Sequence, residues 1–137
     1  NRDAAHVDGL LPEGPNKRRH LREPHGFIAG FPLNDVSASP LVVWPGSHLM
    51  MQEAFARAFE GYAVGDWADV DVTDIYQTAR RAVFQSCPRV SVIARPGEVI
   101  LLHRHLLHGV APWGDSAQTT ERMIAYFRPL VSPAAWL

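Results

Sequence analysis

The chain has a single cysteine, Cys87, so it can form no internal disulfide and offers no thiolate cluster to a metal. Any metal it binds is expected on nitrogen and oxygen, and Cys87 reads as an inert core residue. No apolar run approaches the ~20 residues needed to cross a bilayer, and no basic-then-apolar leader precedes the first candidate strand. These absences predict a cytoplasmic protein without a membrane partner. Charge imbalance is lacking too: the net charge is -1, which gives no electrostatic reason to expect nucleic acid. A small-molecule substrate is the expected partner, and nothing in the sequence fixes an oligomeric state. There is no internal repeat and no low-complexity tract. At 137 residues the chain predicts one catalytic-core domain, 1–137, burying roughly two thirds of the surface its unfolded form exposes.

Scarcest of all is chain ahead of His6. A ligand side chain needs hydrogen-bonded neighbours to fix it, and five residues supply few. An amino-terminal part upstream of Asn1 is therefore expected to belong to the fold.

What is present reads mainly as short strands between Gly/Pro turns. Residues 9–25 hold Gly9, Pro12, Gly14, Pro15 and Pro24 with no apolar period, which predicts a basic loop. Strands are expected over 26–33, 41–44, 89–94, 98–103 and 123–128. Between them, Met51, Phe55, Ala58, Phe59 and Tyr62 recur at helical spacing after Ser47, a candidate N-cap, and a second helix fits 73–84. Strands with helices segregated into one insertion, about 47–84, predict a mainly β jelly roll with helical decoration.

Two clusters carry chemistry. In His6-Val7-Asp8 the polar side chains are two apart, so an extended segment points both to one face, where they can share a cation. Imidazole with carboxylate suits iron, manganese or zinc rather than calcium, and a third ligand must come from elsewhere. The second cluster, His103-Arg104-His105-Leu106-Leu107-His108-Gly109, follows the apolar strand Glu98-Val99-Ile100-Leu101-Leu102. Any one of its histidines read singly is a polar residue at a sheet margin. Beside His6 and Asp8, the cluster supplies three candidates for the missing ligand.

Across most of the chain, motifs recur in a familiar order: His6-Val7-Asp8, Phe31-Pro32-Leu33-Asn34-Asp35-Val36, Trp44-Pro45-Gly46-Ser47-His48, Pro96 to His103, Leu107 to Pro112, and Arg122. In this order they resemble the phytanoyl-CoA dioxygenase family. The resemblance implies a double-stranded β-helix, Fe(II) held by two histidines and a carboxylate, 2-oxoglutarate and dioxygen as cosubstrates, and hydroxylation of an unactivated carbon. It assigns His6, Asp8 and His108 as the metal ligands and makes His103 a non-ligand; should His108 not converge on the pair, His105 is the reserve candidate. It assigns Arg122 to the distal carboxylate of 2-oxoglutarate. Arg122 and Arg128 share strand parity, and Arg122 is expected to stand nearer the metal. His25 and His48 are read as structural.

Two other classes fit the same residues. One is a cupin-like metal enzyme without oxidative chemistry, an isomerase or hydrolase, with Arg122 as an anion clamp. The other is a catalytically silent binding domain, whose expected mark is a lost ligand. The basic run Lys17-Arg18-Arg19-His20 with Arg22 is expected to face water; its alternative role is a lid bearing cations for an acidic or phosphorylated substrate.

Overall fold

The structure is a computed structural model that describes residues 2–114 and 117–137. Its frame is two three-stranded antiparallel sheets. In the first, β3 (Phe27–Pro32) lies between β6 (Ile100–His103) and β8 (Ile124–Phe127). In the second, β4 (Leu41–Val43) lies between β5 (Val90–Val92) and β7 (His108–Val110). Alternation decides which side chains meet. Ile28, Ile100 and Leu102 from the first sheet share a core with Leu41 and Val43 from the second, so the sheets face one another.

The second sheet is covered on its other side. Val42 points away from Leu41 and Val43 into a larger core with Trp44, Met51, Phe55, Tyr76, Val83, Leu107 and Trp136. That core is built by α1 (Ser47–Phe59), α2 (Thr73–Ser86) and the short α3 (Pro133–Trp136). Burying each such side chain contributes about 1.5–3 kcal/mol, which is what ties the helical layer to the sheet. The first sheet keeps an open outer face, where Phe31 and Phe127 meet edge to face at 5.5 Å and Leu101 is 69% exposed.

Three expectations are corrected. The described residues hold about as much helix as strand, so the architecture is mixed rather than mainly β. Residues 9–25 are not a loop: β1 (Leu10–Glu13) and β2 (Arg18–Leu21) pair antiparallel from Leu10↔Leu21 to Glu13↔Arg18. Pro12 and the charges hide this period, because only Leu10 and Leu21 are buried and the turn at Gly14 and Lys17 uses positive φ. The run is also neutralised locally, since Arg18 pairs with Asp71 and Asp74, and Arg22 with Glu13. Finally, Ser47 is not the N-cap. Gly46, at φ 90°, occupies that position, and the buried Ser47 hydroxyl accepts the Leu107 N–H at 2.9 Å. This bond fixes the approach to His108.

Candidate metal centre

Residues 3–8 are laid against β7 by backbone geometry. The His6 N–H donates to the His108 carbonyl at 2.8 Å, and the His108 N–H returns a bond to the His6 carbonyl at 3.0 Å. Gly109 permits this closeness. A Cβ there would lie 2.1 Å from the Asp3 carbonyl oxygen, nearer than any side chain allows. Arg80 of α2 adds a bond from Nε to the Ala5 carbonyl at 3.1 Å. Val7 turns into the helical core, so His6 and Asp8 share the opposite face.

The side chains then converge. His6, Asp8 and His108 each offer a ligand atom within 4.8 Å of the others, although the outer pair are 102 positions apart in sequence. Asp8 Oδ1 lies 3.1 Å from His6 Nε2 and 3.5 Å from His108 Nε2. Each imidazole is held from behind: His6 Nδ1 is 2.9 Å from the Ala4 carbonyl and His108 Nδ1 is 2.9 Å from the Leu106 carbonyl. A carbonyl only accepts, so both Nδ1 atoms carry protons, and in the neutral rings both Nε2 lone pairs face Asp8. Metal-binding histidines are oriented in this way.

The electrostatics match a cation site. Burial would raise the Asp8 carboxyl, but hydrogen bonds from His108 and His6, the charge of His108 and the Arg128 contact hold it well below the usual carboxylate range. The hydrogen bond to Asp8 raises His6 against the opposing effect of its burial. Beside the cluster opens a cavity of about 440 Å³, lined by His6, Asp8, Arg19, Glu23 and Arg128 among others. That volume suits a small organic ligand.

The two arginines that flank β8 are placed the opposite way from expectation. Arg128 Nε donates to Asp8 Oδ2 at 2.5 Å, so Arg128, not Arg122, stands at the cluster. The reason is the run of the chain. Past its end β8 is tied to residues 24–26, through the Gly26 N–H to the Pro129 carbonyl and the Val131 N–H to the Pro24 carbonyl, and residues 22–23 donate to the Gly9 carbonyl beside Asp8. Arg122 lies at the other end, in a narrow crevice between the sheets with Val36, Val92, Ile100 and Ile124. Asn34 brackets it there, donating to the Glu121 carbonyl and accepting the Met123 N–H. No acid pairs with Arg122 among the described residues. The expected parity holds, since Tyr126 packs on the shared core and Ile124 lines the crevice.

The remaining histidines stay outside the cluster. His105 is fully buried, 4.4 Å from the Trp136 ring and 5.6 Å from Phe55 by ring centres. The His103 ring lies 5.1 Å from that of His48, tilted by 50°, and His25 is buried near Glu23. Sequence reasoning passed over Arg19, Arg80 and Glu23 as neighbours of the centre. For Arg128 a signal existed, the parity it shares with Arg122, but parity does not say which end of a strand meets the ligands.

No protein-family model matches the chain, and no curated protein does. Among solved structures it is similar to the non-haem α-ketoglutarate-dependent carbocyclase SnoK from nogalamycin biosynthesis, with a TM-score of 0.50 and 21% sequence identity. The match covers 90% of this chain and 40% of that one, so this chain spans less than half the length of that structure. At such identity the likeness shows the fold, which is like that of a 2-oxoglutarate-dependent oxygenase. No helix among the described residues is long and apolar enough to cross a membrane.

Proposed function

We propose that this chain carries the Fe(II) centre of a 2-oxoglutarate-dependent dioxygenase with a double-stranded β-helix core, similar to the phytanoyl-CoA dioxygenase family and acting on a small molecule. The observation that carries the reading is the donor set. Two imidazole Nε2 atoms with their Nδ1 protons committed to carbonyls face one carboxylate oxygen, on one side of the space between them. His6, Asp8 and His108 would hold the iron and leave its remaining positions open, the arrangement of non-haem oxygenases. When bound, the iron supplies activation of dioxygen at the expense of 2-oxoglutarate, which leaves as succinate and carbon dioxide.

The chain's own residues contribute geometry. The Ala4 and Leu106 carbonyls fix both rings, and the cavity beside Asp8 would receive the substrate. The motif order assigns Arg122, half-buried and with no acidic partner among the described residues, to the distal carboxylate of 2-oxoglutarate. Arg128, however, is the arginine at Asp8, and a five-carbon diacid anchored there reaches only one of the two. The Arg122 crevice has room for about one water as it stands, about 10 Å³, so the sheets must part there to admit a carboxylate. Hydroxylation is the outcome favoured by the motif order, and the similar structure is named a carbocyclase.

Anaerobic titration of the Fe(II)-loaded protein with 2-oxoglutarate tests this. A visible metal-to-ligand charge-transfer band that saturates with the cosubstrate is the expected result. Binding of the metal with no band and no uptake of 2-oxoglutarate would favour a non-oxidative metal enzyme on the same ligands.

A further inference from the structure

We infer that Arg128 is a positioning residue that makes Asp8 a one-oxygen ligand. The inference rests on the metal centre proposed above. Asp8 divides its two oxygens between two jobs: Oδ1 faces the Nε2 atoms of His6 and His108, while Oδ2 takes the Arg128 Nε–H at 2.5 Å. The carboxylate is largely buried, with 9% of its side chain exposed, so water does not compete strongly for Oδ2. The guanidinium is itself steadied by the Tyr126 ring, which lies 4.9 Å below it, and Tyr126 is packed on the core shared by the sheets. A chain of contact therefore runs from the core through Tyr126 and Arg128 to the second oxygen of Asp8.

A six-coordinate ion held by two imidazoles and one carboxylate oxygen keeps three positions open. A 2-oxo acid takes two and dioxygen needs the third. If Asp8 swung to bind through both oxygens, only two would remain, and the cosubstrate would fill them. By engaging Oδ2, Arg128 would leave Asp8 one oxygen for the ion and so keep the third position available. Charge-assisted bonding to a carboxylate is strong enough to do this, and Lys, a point charge on a flexible stem, would do it less well.

The test uses Co(II) as probe with the parent, Arg128→Gln and Arg128→Lys, read under anaerobic conditions. Three quantities are measured: Co(II) affinity by calorimetry, the visible Co(II) spectrum with and without 2-oxoglutarate, and thermal unfolding of the metal-free protein. Arg128→Gln is expected to tighten Co(II) binding on the order of tenfold, because a freed second oxygen and the loss of a neighbouring positive charge both favour the cation. Its visible bands should also shift from the parent's, and Arg128→Lys should return both part of the way. If the folded variants bind Co(II) with the parent's affinity and spectrum, and only the metal-free unfolding temperature falls, the ion pair is structural and the inference is overturned. If the parent itself takes up no Co(II), the proposed metal centre falls and the inference with it.

Discussion

His6 and His108 are bonded through their backbones as well as brought together through their side chains: two main-chain hydrogen bonds, of 2.8 Å and 3.0 Å, join them, and their rings lie 4.6 Å apart between centres. The spacing of the Nε2 atoms is thus set by a β-bridge, a rigid element, rather than by side-chain choice alone. The bridge needs the Asp3 carbonyl to pass over Gly109 with no intervening atom.

Gly109→Ala should break this arrangement. The added carbon would sit 2.1 Å from a backbone oxygen that no rotamer change can move, so residues 3–6 must lift from β7. Overpacking of this kind costs about 1–3 kcal/mol. A urea midpoint lowered by that amount is expected, together with Co(II) affinity reduced more than about tenfold, or ~1.4 kcal/mol. Unchanged metal affinity in the folded variant would mean that the close approach does not set the ligand spacing.

The sequence made the cluster legible for a local reason and hid its surroundings for a non-local one. His6-Val7-Asp8 alternates, and alternation alone puts two donors on one face, while Val7 enters the core. Strand and helix positions along 27–59 followed from apolar runs bounded by Gly and Pro. By contrast, Arg128 meets Asp8 across 120 residues of sequence, and only the pairing of residues 22–26 with 129–131 brings that end of β8 to the cluster. The hairpin of β1 and β2 escaped notice because its stabilising contacts are ion pairs and distant bonds, such as the Arg19 N–H to Thr73 Oγ1, which leave no hydrophobic period.

Arg122→Lys decides whether the far end of β8 serves the cosubstrate: 2-oxoglutarate binding weakened by more than about tenfold, or ~1.4 kcal/mol, with metal affinity nearly unchanged, would put the distal carboxylate in the Arg122 crevice. The guanidinium can meet both oxygens of a carboxylate at once, and an ammonium cannot. Arg122 lies at the far end of β8 from Arg128, about 20 Å along the strand, so it touches no ligand side chain. Anaerobic titration of the Co(II)-loaded variant measures both constants. Equal 2-oxoglutarate affinity in variant and parent would remove Arg122 from the cosubstrate site.

Asp71 joins the hairpin to α2, accepting the Thr73 N–H at 2.9 Å and the Arg18 Nε–H at 2.5 Å. Desolvation raises its carboxyl, but the bonds from Thr73 and Arg18 outweigh this and bring it down to about 2. A lowered carboxylate stabilises the fold above its unfolded value, near 4, and that contribution is lost as pH falls towards 2. Asp71→Asn keeps an oxygen for the Thr73 N–H but loses the charge that strengthens that bond and the Arg18 contact. It should therefore cost at most about 1 kcal/mol at pH 7, the ion pair being partly solvated. Urea midpoints of variant and parent should converge as pH drops below 4. A gap that stays constant to pH 3 would show that charge on Asp71 contributes nothing.

His105 provides the opposite pH signature to the raised His6. Burial first, then the charges of Arg104 and His103, push His105 down to about 3. In the window between about 3 and its unfolded value near 6.5, the unfolded chain binds a proton there that the folded chain does not. Stability must then rise with pH across that window, by up to about 1.4 kcal/mol per unit, and be complete above 6.5. His105→Leu keeps an apolar side chain against Phe55 and Trp136 and removes the titration. The variant should lose less stability than the parent between pH 7 and pH 4, measured as the change in urea midpoint. Taking the difference between the two proteins cancels the carboxylates and His6, which titrate alike in both. Parallel profiles for parent and variant would mean that the His105 ring takes up its proton in the folded state and that the core around Trp136 admits water.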